Sequence, residues 1–180
     1  MEKLTIQNLE KFLKKDQFDC MLQQAGEGEL FDSLIVYLGN DEQKRERFLK
    51  MTIKPQILSE KPFQDLSLNQ EAKYCALEFY AECPFVVCDH AAADTARFVC
   101  FINRSCDLPG FEIDEIDGLI CYRTVHFFQT ESCDWSLIKN LLGSVIMFFN
   151  VYSSELEKIA RGHCTFPELI ESYLARVSKD

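Results

Sequence analysis

The sequence predicts an α+β domain in the order α-β-β-β-α-β-β-α, with one further helix at the C-terminus. Two kinds of pattern support this prediction. Alternation of apolar and polar residues marks the strands, and apolar residues spaced three or four apart mark the helices. The 180 residues are 47% hydrophobic, which is enough for one domain with a substantial core. We therefore expect a single domain over residues 1–180, with a mostly antiparallel sheet, helices on one side of it, and residues 166–178 as an appended helix.

The N-terminal part of the chain predicts one helix and one β-hairpin. Thr5 is a suitable N-cap for a helix that ends near residue 15. Residues 33–38 and 49–54 alternate apolar and polar side chains around a polar turn, which is typical of a hairpin. Residues 18–24, between the helix and the hairpin, fit either a strand or a helix, because their apolar side chains satisfy both periods.

The middle of the chain predicts a long connection, a strand and a helix. Residues 54–72 contain two prolines and no clean periodicity. A third strand follows at residues 74–83, and Pro84 should end it. Asp89 is a suitable N-cap for a second helix at residues 90–106. The apolar stripe of this helix consists of Ala92, Ala96, Val99 and Ile102, and Phe98 and Phe101 broaden it.

The last part of the chain predicts a second hairpin and two helices. Strands at 111–115 and 119–128 flank Asp117-Gly118, a dipeptide favoured in hairpin turns. A long helix then begins at Ser132 or Asp134 and ends at Gly162. Its main apolar stripe consists of Leu137, Leu141, Val145, Phe148, Tyr152, Leu156 and Ile159. A capping box from Thr165 to Glu168 opens the final helix.

Composition and charge exclude several classes of function. The net charge of −10 repels phosphate backbones, so we expect no nucleic-acid partner. No uninterrupted apolar run is longer than the one at 145–149, which is far shorter than a membrane span, and no signal peptide is evident. We therefore expect a cytoplasmic protein that does not insert into membranes.

The nine cysteines are odd in number and lack the spacing of a zinc site. We expect all nine to be reduced, with Cys75, Cys100 and Cys121 buried in the core. No cofactor and no metal are expected, and no nucleotide-binding or metallohydrolase motif is present.

Three segments carry a resemblance to a known family. They read TARFVCFIN at 95–103, LPGFEIDE at 108–115 and LICYR at 119–123, and a long acidic helix ending IARG at 159–162 follows them. Together with the order of elements, these segments resemble the type III secretion effector chaperones and the related YbjN-like bacterial family over most of residues 30–162. The C-terminal helix and the 54–72 stretch depart from the minimal chaperone plan.

The resemblance implies a function without catalysis. Proteins of this kind are cytosolic homodimers that hold the N-terminal segment of a secreted effector in an extended form until export by a virulence-associated secretion system. The acidic composition is compatible with that role, because it suits a partner that is basic and apolar by turns.

The candidate partner-binding surface is the outer face of the sheet. If one set of alternating strand residues faces the helices, then Ile35, Tyr37, Phe48, Tyr80 and Tyr122 point to the other side. This aromatic set either docks an apolar segment of a partner or merely stabilises the sheet. Arg123 interrupts an apolar strand. It either binds a partner carboxylate or, as we favour, forms an ion pair with a cross-strand acid such as Glu112 or Asp114.

Other interpretations stay open at this point. The surplus apolar ridge of the long helix is covered either by a second copy or, as we favour, by the terminal helix. The dimer contact would then lie on helix 90–106 or the strand after it. A regulatory adaptor that binds a folded partner is the alternative binding function, and a thiol-dependent enzyme using Cys164 or Cys88 is the alternative catalytic one.

Overall fold

The computed structural model describes residues 3–56 and 74–177. The helices are α1 (Ile6–Lys15), α2 (Ala92–Ser105), α3 (Trp135–Ala160) and α4 (Phe166–Val177), and a 3-10 turn at Asp89–Ala91 precedes α2. The strands are β1 (Cys20–Gln23), β2 (Ser33–Asn40), β3 (Glu46–Gln56), β4 (Tyr74–Val86), β5 (Phe111–Asp114) and β6 (Leu119–Gln129). They form one antiparallel sheet in the order β1-β2-β3-β4-β6-β5, which confirms the predicted α+β class.

The chain divides into two compact units. Unit 1 comprises residues 1–81 and 124–140, and unit 2 comprises residues 82–123 and 141–180. Strands β4 and β6 and helix α3 each contribute residues to both units. None of the described helices has the length and apolar character that crossing a bilayer requires.

Unit 1 is built on α1 and the first strands of the sheet. Thr5 caps α1 as predicted, because its Oγ1 accepts a hydrogen bond from the Asn8 N–H at 3.2 Å. The ambiguous segment 18–24 contains a strand, β1, which pairs antiparallel with β2. Over residues 3–56 and 74–177 the element order is therefore α-β-β-β-β-α-β-β-α-α, which has one strand more than predicted. Residues 57–73, most of the predicted connection, lie outside the described residues.

The core of unit 1 lies on the predicted face of the sheet. The register pairs Leu34 with Met51 and Val36 with Leu49, and Met51 in turn pairs with Phe79. These side chains are fully buried. The helix side of the core receives Leu9 and Leu13 of α1. Trp135, at the start of α3, packs its ring 5.1 Å from that of Phe12.

The structure of unit 2 differs from three local predictions. Asp89 makes no side-chain cap, because the chain passes through a 3-10 turn before α2 begins at Ala92. Phe98, Val99 and Ile102 of α2 are buried as predicted, together with Thr95, whereas the predicted Ala92, Ala96 and Phe101 are exposed. Strand β4 continues through Pro84 to Val86. Its ladder with β3 ends at Tyr80, so the missing N–H of proline costs no hydrogen bond there.

The two final helices begin where the sequence places them. The Asp134 carboxylate accepts a hydrogen bond from the Leu137 N–H at 3.1 Å, which makes Asp134 the N-cap of α3. The capping box of α4 is present, since the Glu168 carboxylate accepts from the Thr165 N–H at 2.8 Å. At the start of α4, the Phe166 ring packs on α2, 6.1 Å from the Phe101 ring and beneath the Arg97 guanidinium.

The cysteines are distributed differently from the prediction. All nine are free thiols, and Cys75 is buried as expected. Cys100 is exposed, because α2 turns its Phe98 and Ile102 side toward the core instead. Cys121 is only half-buried, since it points away from the core-facing neighbours Ile120 and Tyr122 in β6.

Candidate binding surface

The register of unit 1 turns four of the predicted residues to the outer face of the sheet. Ile35 pairs with Lys50, and Lys50 pairs with Tyr80. Tyr37 pairs with Phe48. Because paired residues share a face and neighbours along a strand alternate, all four lie opposite the buried Leu34, Val36 and Met51.

Three further apolar residues that the sequence analysis missed share this face. Met21 of β1 pairs with Ile35. In β6, Phe128 is buried and the His126 ring contacts the core residue Phe79, so the alternate residues Val125 and Phe127 point outward. We call this set of seven the outer face: Met21, Ile35, Tyr37, Phe48, Tyr80, Val125 and Phe127.

The outer face is apolar and partly exposed. Met21 is 64% exposed, Phe127 62% and Phe48 45%. Tyr37 is half-buried, with its ring 5.7 Å from that of Phe48 and its hydroxyl donating to Asn40 Oδ1 at 2.7 Å. Lys50 lies among these residues, since it pairs with both Ile35 and Tyr80. Exposed apolar surface of this kind is typical of interaction sites.

Two lysines on the outer side of the sheet form ion pairs. Lys50 forms an ion pair with Glu29, and hydrogen bonding from Lys50 lowers the pKa of the Glu29 carboxyl. Lys54 forms a second pair with Glu78 at 2.5 Å. Within each of these two pairs the opposite charges offset each other.

Strand β6 also presents an open edge within unit 1. Its pairing with β5 ends at Phe111 and Tyr122, and one more hydrogen bond follows, from the Arg123 N–H to the Gly110 carbonyl at 2.8 Å. From Thr124 to Gln129, no strand within the described ranges pairs with β6 on that side. The N–H and C=O groups of every second residue in a strand point to the same side. Val125 and Phe127 follow Arg123 at intervals of two, so their N–H and C=O groups point to this edge.

Tyr122 does not belong to the outer face, which corrects the sequence prediction. Its side chain is fully buried, with ring centroids 5.2 Å from Phe111 and 6.0 Å from Phe148. Its hydroxyl donates to the Leu108 carbonyl at 2.9 Å. Burial raises the pKa of the Tyr122 hydroxyl to about 12. The side chain points inward because it shares the core-facing phase of β6 with Ile120.

Arg123 forms the cross-strand ion pair that the sequence analysis favoured. Its Nε and one terminal nitrogen donate to the two carboxylate oxygens of Glu112 at 3.1 and 3.0 Å. Both side chains are about half exposed, so the pair contributes little to stability. A role in binding a partner carboxylate would require the guanidinium to leave Glu112.

The thiols offer little support for nucleophilic catalysis. A reactive cysteine needs a lowered pKa, whereas burial raises the pKa of Cys164. His90, the nearest histidine in sequence to Cys88, packs its ring against Gly162. In the portion of the chain covered by the structure, no three potential ligands come together as a metal site.

No protein-family model matches the sequence, and no curated protein matches it at a significant level.

Proposed function

We propose that this protein is a non-enzymatic cytosolic chaperone of the type III secretion kind, which binds an effector segment and keeps it export-competent. The observation that carries the proposal is the outer face of unit 1 beside the open edge of β6. An extended segment laid along this edge would receive main-chain hydrogen bonds from Val125 and Phe127. Its alternate side chains would cover Val125 and Phe127, and the part of the segment that continues across the sheet would cover Phe48, which lies in β3 beyond β4.

The energetics favour a segment with several apolar anchors. Ordering each residue of an unfolded segment costs about 1 to 2 kcal/mol. Each Å² of apolar surface removed from water contributes roughly 25 cal/mol in return. A single ring cannot offset the ordering of a whole strand, so binding needs Phe48, Phe127 and their neighbours together. The net charge of −10 further favours a basic segment.

Peptide binding tests the proposal directly. The probes are fluorescent peptides from the N-terminal segments of type III effectors, with scrambled peptides as a reference, measured by fluorescence anisotropy. We expect Phe48→Ser and Phe127→Ser to weaken binding by about tenfold each. The matched control is Ile116→Ser, which removes an apolar side chain that is 93% exposed in the β5–β6 turn. It should leave peptide affinity unchanged.

Tyr37→Ser and Tyr80→Ser should weaken binding in the same graded way. If these variants lower the thermal midpoint while the folded protein keeps its peptide affinity, the outer face is structural and the binding proposal fails. Binding of one folded protein, with no binding of peptides, would instead identify a regulatory adaptor. Turnover that is lost on thiol alkylation would identify a thiol-dependent enzyme.

A further inference from the structure

Helix α3 contains a long segment without any charged residue. From Asn140 to Ser154 it carries neither acid nor base, although 27% of the whole chain is charged. Lys139 and Glu155 bound the segment. A solvent-facing helix surface in a soluble protein normally carries such charges, so their absence here calls for a covering surface.

Part of this uncharged segment faces solvent. Met147 is 52% exposed and Val151 54%, while Gly143 is exposed and a Cβ placed on it would meet nothing within 4 Å. These three residues are spaced four apart, so they lie on one side of the helix. The opposite side is filled by the core residues Leu142, Val145, Phe148 and Phe149.

Charge indicates what covers this side of α3. A partner selected by its charge would find nothing to recognise between Asn140 and Ser154. Two copies of a protein with net charge −10 repel each other, and they approach at least electrostatic cost where neither presents a charge. The exposed side of α2 is less suitable for such a contact, because it carries Arg97 and Arg104.

The spacing also fits a two-fold contact. In an antiparallel pair of helices centred on Met147, Gly143 of one copy faces Val151 of the other. A small residue then opposes a branched one at both ends of the contact, as a self-complementary interface requires. We infer that α3 pairs antiparallel with α3 of a second copy through Gly143, Met147 and Val151.

The contact should be weak. A stable interface buries about 800 Å² on each partner, and one pair of helices supplies only part of that area. The dimer should therefore dissociate on dilution. Since the copies carry like charge, added salt should strengthen the dimer by screening their repulsion. Binding of an oppositely charged partner would weaken with salt instead.

Sedimentation velocity of the full chain across a wide range of concentration tests the inference. We expect the mass to rise from monomer to dimer, and Met147→Glu or Met147→Lys alone to weaken self-association by more than tenfold. An equimolar mixture of these two variants should recover the dimer, because opposite charges then meet at the two-fold axis. Ala96→Glu, an equal charge change at an exposed position of α2, is the matched control and should self-associate like the original chain.

Circular dichroism and the thermal midpoint show whether each variant is folded. A mass of one chain at every concentration would overturn the inference. So would a dimer that survives Met147→Glu, or variants that fail to recover it when mixed. The contact uses no residue of the outer face, so these outcomes are independent of peptide binding.

Discussion

Replacement of Tyr122 by Ala should remove a large part of the stability of unit 2, whereas replacement by Phe should cost little. The ring is fully buried and contacts three aromatic rings, those of Phe111, Phe148 and Phe149. The hydroxyl makes one hydrogen bond, to the Leu108 carbonyl. The two substitutions therefore separate the packing of the ring from the hydrogen bond of its hydroxyl.

The expected magnitudes follow from these contacts. Loss of one hydrogen bond in Tyr122→Phe should lower the free energy of unfolding by about 1 kcal/mol. Tyr122→Ala also leaves a ring-sized cavity, and truncation of a large buried aromatic costs about 3 to 5 kcal/mol. For a chain of this size, each kcal/mol lowers the thermal midpoint by about 2 to 4 °C. We therefore expect a drop of about 6 to 20 °C for the Ala variant.

Urea denaturation followed by circular dichroism measures both variants. Phe127→Ala is the matched control, because it removes a ring of similar size from the opposite face of the same strand, where the side chain is mostly exposed. It should cost less than about 1 kcal/mol. If Tyr122→Ala is no more destabilising than Phe127→Ala, then the burial argument for β6 is wrong.

The remaining predictions concern pH, backbone conformation and capping. The raised pKa of Tyr122 means that the folded state favours the neutral hydroxyl. The contribution of this group to stability is therefore full below pH 10 and is lost as the pH rises toward about 12. Ultraviolet titration of the original chain and of the Tyr122→Phe variant can follow this change. Burial lowers the pKa of His126 below its usual 6.5, so stability is full above that pH and falls as the solution is acidified. The His126→Gln substitution should therefore lower the free energy of unfolding by less at pH 5 than at pH 7, as measured by urea denaturation. Gly162→Ala should lower the free energy of unfolding, because φ is +71° and the new Cβ would meet the His90 ring. In a double-mutant cycle, His90→Ala should relieve only the steric part of this loss. Thr165→Ala should cost about 1 kcal/mol by removing the capping box of α4, as measured by urea denaturation.

Residue patterns were sufficient to predict most helices and strands, and to predict which side chains of β2 point away from the core. The N-caps Thr5, Asp134 and Thr165 were predictable because capping depends on side chains close in sequence. The outward direction of Ile35 and Tyr37 was predictable because β2 alternates with buried Leu34 and Val36. Both kinds of signal are local, and neither depends on the rest of the fold.

Strand β6 was not predictable in the same way. Residues 119–128 are apolar or aromatic at most positions, so either phase of alternation could have faced the core. Tyr122 was therefore placed on the wrong side, and Val125 and Phe127 were missed. Only the packing of Tyr122 against Phe111 and Phe148 distinguishes the two phases.

The sequence by itself determined the class of fold, the positions of most helices and strands, and the acidic character of the chain, because each depends on composition or on short-range periodicity. The tertiary structure decided which residues of the broad apolar face of α2 are buried, since Phe98 and Ile102 lie in the core whereas Ala92 and Ala96 are exposed. It also decided that residues 20–23 form an edge strand, since four residues with two compatible periods take the form that their pairing with β2 stabilises. These choices depend on contacts between residues far apart in sequence, and a local pattern contains no information about such contacts.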